Sequence, residues 1–204
     1  MENIEWLFFD IGSTLVDESK CYEYRCGEII NNNDIDSEMF YAKVLDFAKE
    51  NAFPIKAAAD YYGFEIPKWP KELERLYPDA ENILKILVPN YKLGIIANQV
   101  LGTMERINNW GIGKYFDVVV ASAEAGCAKP DLKIFNIALE QANCSPENAV
   151  MIGDRLDNDV VPAKKLGMKT VWVRQGFAEF QTVQNDSETP DYSIESIGDV
   201  VKLF

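Results

Sequence analysis

Histidine is absent from the 204 residues of this chain. That removes imidazole acid–base chemistry, Ser-His-Asp triads and His-ligated zinc together, so catalysis must rest on carboxylates, lysine, tyrosine, cysteine or a metal ion. Cysteine is scarce: Cys21, Cys26, Cys127 and Cys144 form no CxxC pair, and the step from Cys21 to Cys26 lacks companion ligands. They read as packing residues, kept reduced in a cytoplasmic setting. Long hydrophobic runs are missing too. The first, Trp6 to Phe9, is short and flanked by acids, so neither a secretory leader nor a membrane span is expected. Positive charge is the minority, with 20 Lys and Arg against 33 Asp and Glu and a net charge of −13. Such a surface repels nucleic acid and anionic lipid, although a local Lys, Arg or Mg²⁺ can reverse the field inside a pocket for a small anionic substrate.

What is present has a clear rhythm. The length suits one main domain with an insertion. After the first strand, residues 18–75 carry no alternating strand pattern. Phe40, Val44, Phe47 and Ala48 mark one face of a helix, and Ala57 to Tyr62 suggests another. Pro54, Gly63, Pro67 and Pro70 punctuate this aromatic-rich stretch, which reads as an inserted helical cap. From Asp79 onward helices and strands alternate. Ile83, Ile86 and Leu87 give a helical face, Lys92 to Ala97 a strand, Val100 to Asn109 a helix and Asp117 to Ala121 a strand. Phe135, Ala138, Leu139 and Ala142 then mark a helix, Ala149 to Ile152 a strand, Val160 to Leu166 a helix and Thr170 to Val173 a strand. Gln181 to Thr189 reads as a loop. The pattern predicts an α/β fold with a parallel sheet covered on both faces, a core domain of residues 1–17 and 76–204, and a cap of residues 18–75. In such sheets the active site lies beyond the carboxyl ends of the strands.

Polar residues gather at four of those ends. The run Leu7 to Asp17 stops a buried strand on Asp10 and follows it with Gly12, Ser13 and Thr14. An Asp there is placed to attack a phosphorus or carbon centre and to hold a hard metal ion, whereas an isolated one more often caps a loop. Strand Ala149 to Ile152 leads into Gly153-Asp154-Arg155-Leu156-Asp157-Asn158-Asp159, whose carboxylates suit Mg²⁺. Gly126-Cys127-Ala128-Lys129-Pro130-Asp131 offers a fixed ammonium before a helix. The strand from Lys92 ends in Ala97-Asn98-Gln99, a weaker anion-binding signal.

Taken in chain order, the four stretches resemble the motifs of the haloacid dehalogenase superfamily of hydrolases, over almost the full chain. The resemblance implies a Rossmann-like three-layer αβα sandwich with a C1-type helical cap after the first strand. It implies that Asp10 is the nucleophile of an aspartyl-phosphate mechanism. Asp10, the backbone carbonyl of Gly12 and Asp154 would hold Mg²⁺, with Asp159 a further ligand or the orienter of a metal-bound water. Lys129 would neutralise the nucleophile and the transferring group, and Ser13, Thr14, Asn98 and Lys129 would face the phosphate. The implied substrate is a small phosphorylated metabolite. Nothing in the pattern fixes an oligomeric state.

Two positions depart from the family pattern. Gly12 stands where phosphatases of the family usually have a second Asp, which protonates the leaving alkoxide and then activates water. Such help is worth a factor of about 10²–10⁴. Ala97 stands where a Ser or Thr hydroxyl usually meets the phosphate. Three readings follow: a Mg²⁺-dependent phosphatase that works best on good leaving groups, a phosphonate-type enzyme using a cap lysine such as Lys20 or Lys43, and a binding module that keeps metal and phosphate affinity. The first is preferred, because stability alone does not call for Asp10, Lys129, Asp154 and Asp159 in one crevice. On that reading a cap carboxylate (Glu18 or Glu23) or a tyrosine replaces the missing acid, and Gly12→Asp raises turnover. Tyr22, Tyr24, Tyr61, Tyr62 and Trp69 are expected either to line the substrate pocket or to form the core of the cap.

Overall fold

The computed structural model describes residues 3–204. Its strands are β1 (Trp6–Phe9), β2 (Val16–Asp17), β3 (Arg75–Leu76), β4 (Lys92–Ala97), β5 (Val118–Ala121), β6 (Ala149–Gly153), β7 (Lys169–Val173) and β8 (Tyr192–Ile194). Its helices are α1 (Ser19–Asn33), α2 (Ser37–Lys49), α3 (Pro54–Tyr62), α4 (Ala80–Leu87), α5 (Thr103–Asn109), α6 (Ser122–Ala125), α7 (Leu132–Ala142) and α8 (Val161–Leu166). Six strands form one parallel sheet in the order β5-β4-β1-β6-β7-β8. The chain builds outward from β1 to one side through β4 and β5, then crosses to the other side with β6, β7 and β8. The strand order reverses at β1, and a crevice opens beyond the carboxyl ends at such a reversal.

Alternation along β1 explains the layers. Leu7 and Phe9 face α4, α5 and the C-terminal turn through Leu84, Ile107 and Val200. Trp6 and Phe8 point the opposite way, onto Ile134, Phe135 and Ala138 of α7 and Ala163 of α8. Successive strand residues point to opposite faces, so an apolar run without alternation needs cover on both sides. The expected Rossmann-like three-layer sandwich is therefore the fold.

Three helices, α1 to α3, lie between β2 and β3, which pair antiparallel as a two-stranded stem. They make an apolar cluster of their own from Cys26, Ile29, Phe40, Val44, Ile55, Ala58 and Ala59. The helix read from Phe40, Val44 and Ala48 is α2, capped by Asp36, whose carboxylate accepts the Met39 N–H at 2.9 Å. Helix α1 gave no comparable signal, since its buried residues are only Cys21, Cys26 and Ile29 in a polar run.

Other boundaries moved for local reasons. The buried face of α4 is Ala80, Ile83, Leu84 and Leu87, while Ile86 is exposed. Helix α5 begins at Thr103 rather than Val100, because the Glu124 carboxylate accepts the Gly102 and Thr103 N–H groups there. A π-helical turn over Leu156–Val160 precedes α8. The expected polar loop contains one short turn, over Asp186–Glu188, and leads into β8. No described helix is long and apolar enough to cross a membrane.

Phe40 is fully buried at the centre of the helical cluster. Phe40→Ala is expected to destabilise the protein by about 3–5 kcal/mol, the usual cost of removing a buried aromatic ring. Chemical denaturation followed by fluorescence and circular dichroism measures it; a change below about 1 kcal/mol would show that this cluster collapses around the gap.

Candidate active site

Asp10 follows β1 directly, and its N–H donates to the Ile152 carbonyl at 2.9 Å, so the sheet ladder itself fixes the start of the crevice. The next residues fold back tightly. The Leu15 and Val16 N–H groups both reach the Ile11 carbonyl at 2.9 Å. This turn buries Ser13 and Thr14, the latter completely. The structure does not place either hydroxyl on the cavity wall. Ser13 Oγ lies 3.2 Å from both a Glu18 carboxylate oxygen and the Tyr22 hydroxyl, and Thr14 Oγ1 is buried without a partner among the described groups.

Lys129 arrives from the loop before α7. Asp131 caps that helix, its carboxylate accepting the Lys133 N–H at 2.9 Å. The Asn98 side chain grips the backbone of Lys129 at both ends: Nδ2 donates to the Lys129 carbonyl at 2.9 Å and Oδ1 accepts the Lys129 N–H at 2.7 Å. Asn98 thus spends its amide on holding the lysine loop, though it also borders the cavity. The ammonium then lies 2.8 Å from Asp10 Oδ1 and 2.6 Å from Asp159 Oδ1, fully inside the protein. Burial opposes its charge, but the Asp10 and Asp159 carboxylates outweigh burial and hold the lysine pKa above its ordinary value.

The turn after β6 supplies the remaining acids. A Cβ on Gly153 would collide with Asp159 Oδ2, so only glycine allows Asp159 to fold back over the strand end. Asp159 Oδ2 accepts the Arg155 N–H at 3.0 Å, which leaves its Oδ1 for Lys129. Asp157 does not join this group; it forms a 2.6 Å ion pair with Arg155. The Arg155 side chain was not singled out from the sequence. Its Nη2 also donates to the Asn51 carbonyl, at 3.3 Å, tying the acidic turn to the segment after α2.

Carboxylate oxygens of Asp10, Asp154 and Asp159 lie within 4.8 Å of one another. Burial, and then the neighbouring Asp10 and Asp159 charges, push the Asp154 carboxyl well above the usual range. Burial raises Asp159 to about 6 despite Lys129. Hard oxygen donors with an excess of buried negative charge fit a divalent cation such as Mg²⁺ or Mn²⁺.

A cavity of about 750 Å³ opens over this cluster, in the range typical of small-molecule sites. Asp10, Gly12, Asp154 and Lys129 form part of its floor, and Tyr22, Arg25, Phe53 and Trp69 come from the helical side. Of the aromatic residues weighed from the sequence, Tyr22 and Trp69 line it, Tyr62 packs against the cap cluster, and Tyr24 and Tyr61 are exposed. Lys20 and Lys43 sit outside it, in surface pairs with Glu23 and Asp46.

Glu18 is the acid that the geometry brings forward. It is half-buried on the cavity wall, and its Oε2 accepts the Tyr22 hydroxyl at 2.6 Å and the Ser13 hydroxyl at 3.2 Å. Burial, with a contribution from the Asp10 charge, raises its pKa to about 7. A Cβ on Gly12 would meet its carboxyl at 2.6–2.9 Å. The space that a side chain on residue 12 needs is held by the end of Glu18, which must swing aside before an aspartate fits there.

The sequence profile of the haloacid dehalogenase-like hydrolases matches residues 3–173. The chain belongs to that family. A glyceraldehyde 3-phosphate phosphatase of Pyrococcus furiosus is 30% identical across all of this chain and 94% of its own length. The pyrimidine 5′-nucleotidase YjjG of Escherichia coli is 33% identical over 62% of this chain and 56% of its own length. Among solved structures, a phosphatase of the family from Thermococcus onnurineus superposes with a TM-score of 0.68 at 25% identity, over 98% of this chain and 97% of the other. Like other haloacid dehalogenase-like hydrolases, this protein carries a parallel-sheet core with a helical cap region.

The raised carboxyls set a pH dependence. Glu18 shifts from 4.5 to about 7 and Asp159 from 3.8 to about 6, so each holds its proton to higher pH in the folded protein than in the unfolded chain. The folded state binds more protons between those values, and stability falls as pH rises through about 4 to 7. Metal-free protein in a chelator is expected to melt at a lower temperature at pH 7.5 than at pH 5. Mg²⁺, which favours the anions, is expected to raise the melting temperature more at pH 7.5 than at pH 5. Calorimetry across that range checks both, and an equal Mg²⁺ effect at the two pH values would show that metal binding is not linked to the protons on these carboxyls.

Proposed function

We propose that this protein is a divalent-metal-dependent phosphatase that hydrolyses a small phosphorylated metabolite through an aspartyl-phosphate on Asp10. The observation that carries the reading is the Lys129 ammonium, 2.8 Å from Asp10 and 2.6 Å from Asp159, beside a carboxylate cluster at the floor of one cavity. Phosphoryl transfer needs in-line positioning and cancellation of charge on the equatorial oxygens more than covalent assistance. Lys129 supplies one fixed positive charge beside Asp10, attenuating the repulsion between that carboxylate and an incoming phosphate dianion. Asp10, Asp154 and the backbone carbonyl of Gly12 would hold Mg²⁺, which when bound neutralises charge on the transferring group. Both oxygens of Asp159 accept protein hydrogen bonds, which favours its role as the support of Lys129 and of the acidic turn.

The phosphatase and nucleotidase names of the relatives support the reaction class, and they make three-carbon sugar phosphates and pyrimidine 5′-nucleotides the first substrates to test. The cavity walls suit a compact anion. Arg25 lies 4.7 Å above the Trp69 ring, and Lys68 and Lys71 border the same space. Glu74 is already engaged, accepting from Arg106 at 3.1 Å and from Trp69 Nε1 at 2.7 Å.

The purified protein is expected to release phosphate from p-nitrophenyl phosphate and acetyl phosphate with Mg²⁺ and not with a chelator, and Asp10→Asn is expected to fall to background. Equal residual rates in the parent and Asp10→Asn would reject Asp10 as the nucleophile. Chelator-insensitive turnover would reject the metal.

A further inference from the structure

Every acid on the cavity wall except one has an assignment. Asp10 and Asp154 belong to the carboxylate cluster, and Glu74 is locked between Arg106 and Trp69. Glu23, the other acid weighed for the role, is exposed and paired with Lys20 at 2.8 Å. Tyr22, the nearest tyrosine, spends its hydroxyl on Glu18 at 2.6 Å. Glu18 remains.

Its placement is specific. An ideal Cβ on Gly12 would lie 2.6 Å from Glu18 Oε1, 2.8 Å from Oε2 and 2.9 Å from Cδ. The Glu18 carboxyl thus fills the volume into which a side chain on residue 12 would project. Both hydroxyl contacts go to Oε2, so the carboxyl is anchored by one oxygen. Oε1 is the atom nearest the residue-12 Cβ position. The backbone of Gly12 follows Asp10 by two residues, and both border the cavity with Glu18. We infer that Glu18, from the start of the cap, is the acid–base group of this site and takes through space the place that residue 12 leaves empty.

The inference rests on the phosphatase reading and gives its two steps a proton carrier. In the first, an Asp10 carboxylate oxygen bonds to phosphorus as the bond from phosphorus to the leaving oxygen breaks. The Glu18 carboxyl proton passes to that oxygen, so the product leaves as an alcohol and Glu18 becomes a carboxylate. In the second, Glu18 takes a proton from water as the water oxygen bonds to phosphorus. The bond from phosphorus to Asp10 breaks, and inorganic phosphate leaves with Asp10 again a carboxylate and Glu18 again protonated. An acid in the first step matters most for poor leaving groups, and a base in the second matters for every substrate.

The test compares the parent, Asp10→Asn, Glu18→Gln, Glu18→Ala, Gly12→Asp and the double variant Gly12→Asp/Glu18→Ala. Each is assayed with Mg²⁺ on an alkyl and an aryl phosphate, and intact mass spectrometry follows the phosphorylated protein. Glu18→Gln keeps the shape of the side chain; it is expected to lower kcat on the alkyl ester by about 10²–10⁴. With the aryl ester it is expected to accumulate phosphorylated protein, because the first step survives and the second lacks its base. Gly12→Asp alone is expected to lower activity. The double variant is expected to exceed Glu18→Ala, since removing the Glu18 carboxyl vacates the space that an aspartate side chain on residue 12 needs. Glu18→Gln turning over both esters at the parent rate, with Asp10→Asn inactive, would overturn the assignment and leave the phosphatase reading standing. Equal loss on both esters with no phosphorylated protein and no recovery in the double variant would reduce Glu18 to a structural residue. No Asp10-dependent release from the parent on any ester would overturn both.

Discussion

The site depends on one buried ammonium between two carboxylates. Lys129 lets Asp10 and Asp159 approach each other inside the protein, where unpaired charges of one sign would repel. The surrounding structure is arranged to deliver it. Asn98 at the end of β4 clamps the lysine backbone, Asp131 anchors the following helix, and Gly153 leaves room for Asp159 to turn back. Three strand ends are thereby brought to one point, each by a different local device. The parallel sheet supplies the platform, since β1 is hydrogen-bonded to β4 and β6 on either side.

Much of this was legible in the chain because buried parallel strands announce themselves. Trp6 to Phe9, Ala149 to Ile152 and Thr170 to Val173 are apolar runs with polar stops, and the residues at the first two of those stops enter the site. Asp10, Asp154 and Asp159 lie in the polar stretches that follow such runs, whereas Lys129 lies beyond α6 and was singled out by its place in the family's motif order. Asn98 could be placed at the site but not given its partner, because pairing with the Lys129 backbone depends on where two loops meet. Ser13 and Thr14 look available in the sequence, yet the turn onto the Ile11 carbonyl draws both inside. Helix α1 stayed hidden because its apolar contacts are few and its surface is polar. Arg155 was unreadable for a related reason: its partners are Asp157, two residues away, and the Asn51 carbonyl, over a hundred residues away.

The helical cap and the core touch through more than the stem strands. Phe177, in the turn after β7, packs against the cap cluster and lies 4.8 Å from the Tyr22 ring. Asn51 donates to the Thr182 carbonyl at 3.1 Å and to Glu188 at 3.0 Å. The walls that shape the substrate space are likewise shared between both parts of the chain. Arg25 and Trp69 belong to the inserted segment, whereas Asn98 and Arg155 belong to the sheet ends.

A carboxyl carried by the inserted segment rather than by the sheet alters how this scaffold can diversify. With a side chain on residue 12, the insertion is free to drift or be exchanged while the reaction machinery stays behind. Here Glu18 immediately precedes α1, and its partner Tyr22 sits one turn further along that helix. Recombination that replaced the helices would remove the proton carrier together with the pocket wall. Exchange of the insertion would change selectivity and turnover together.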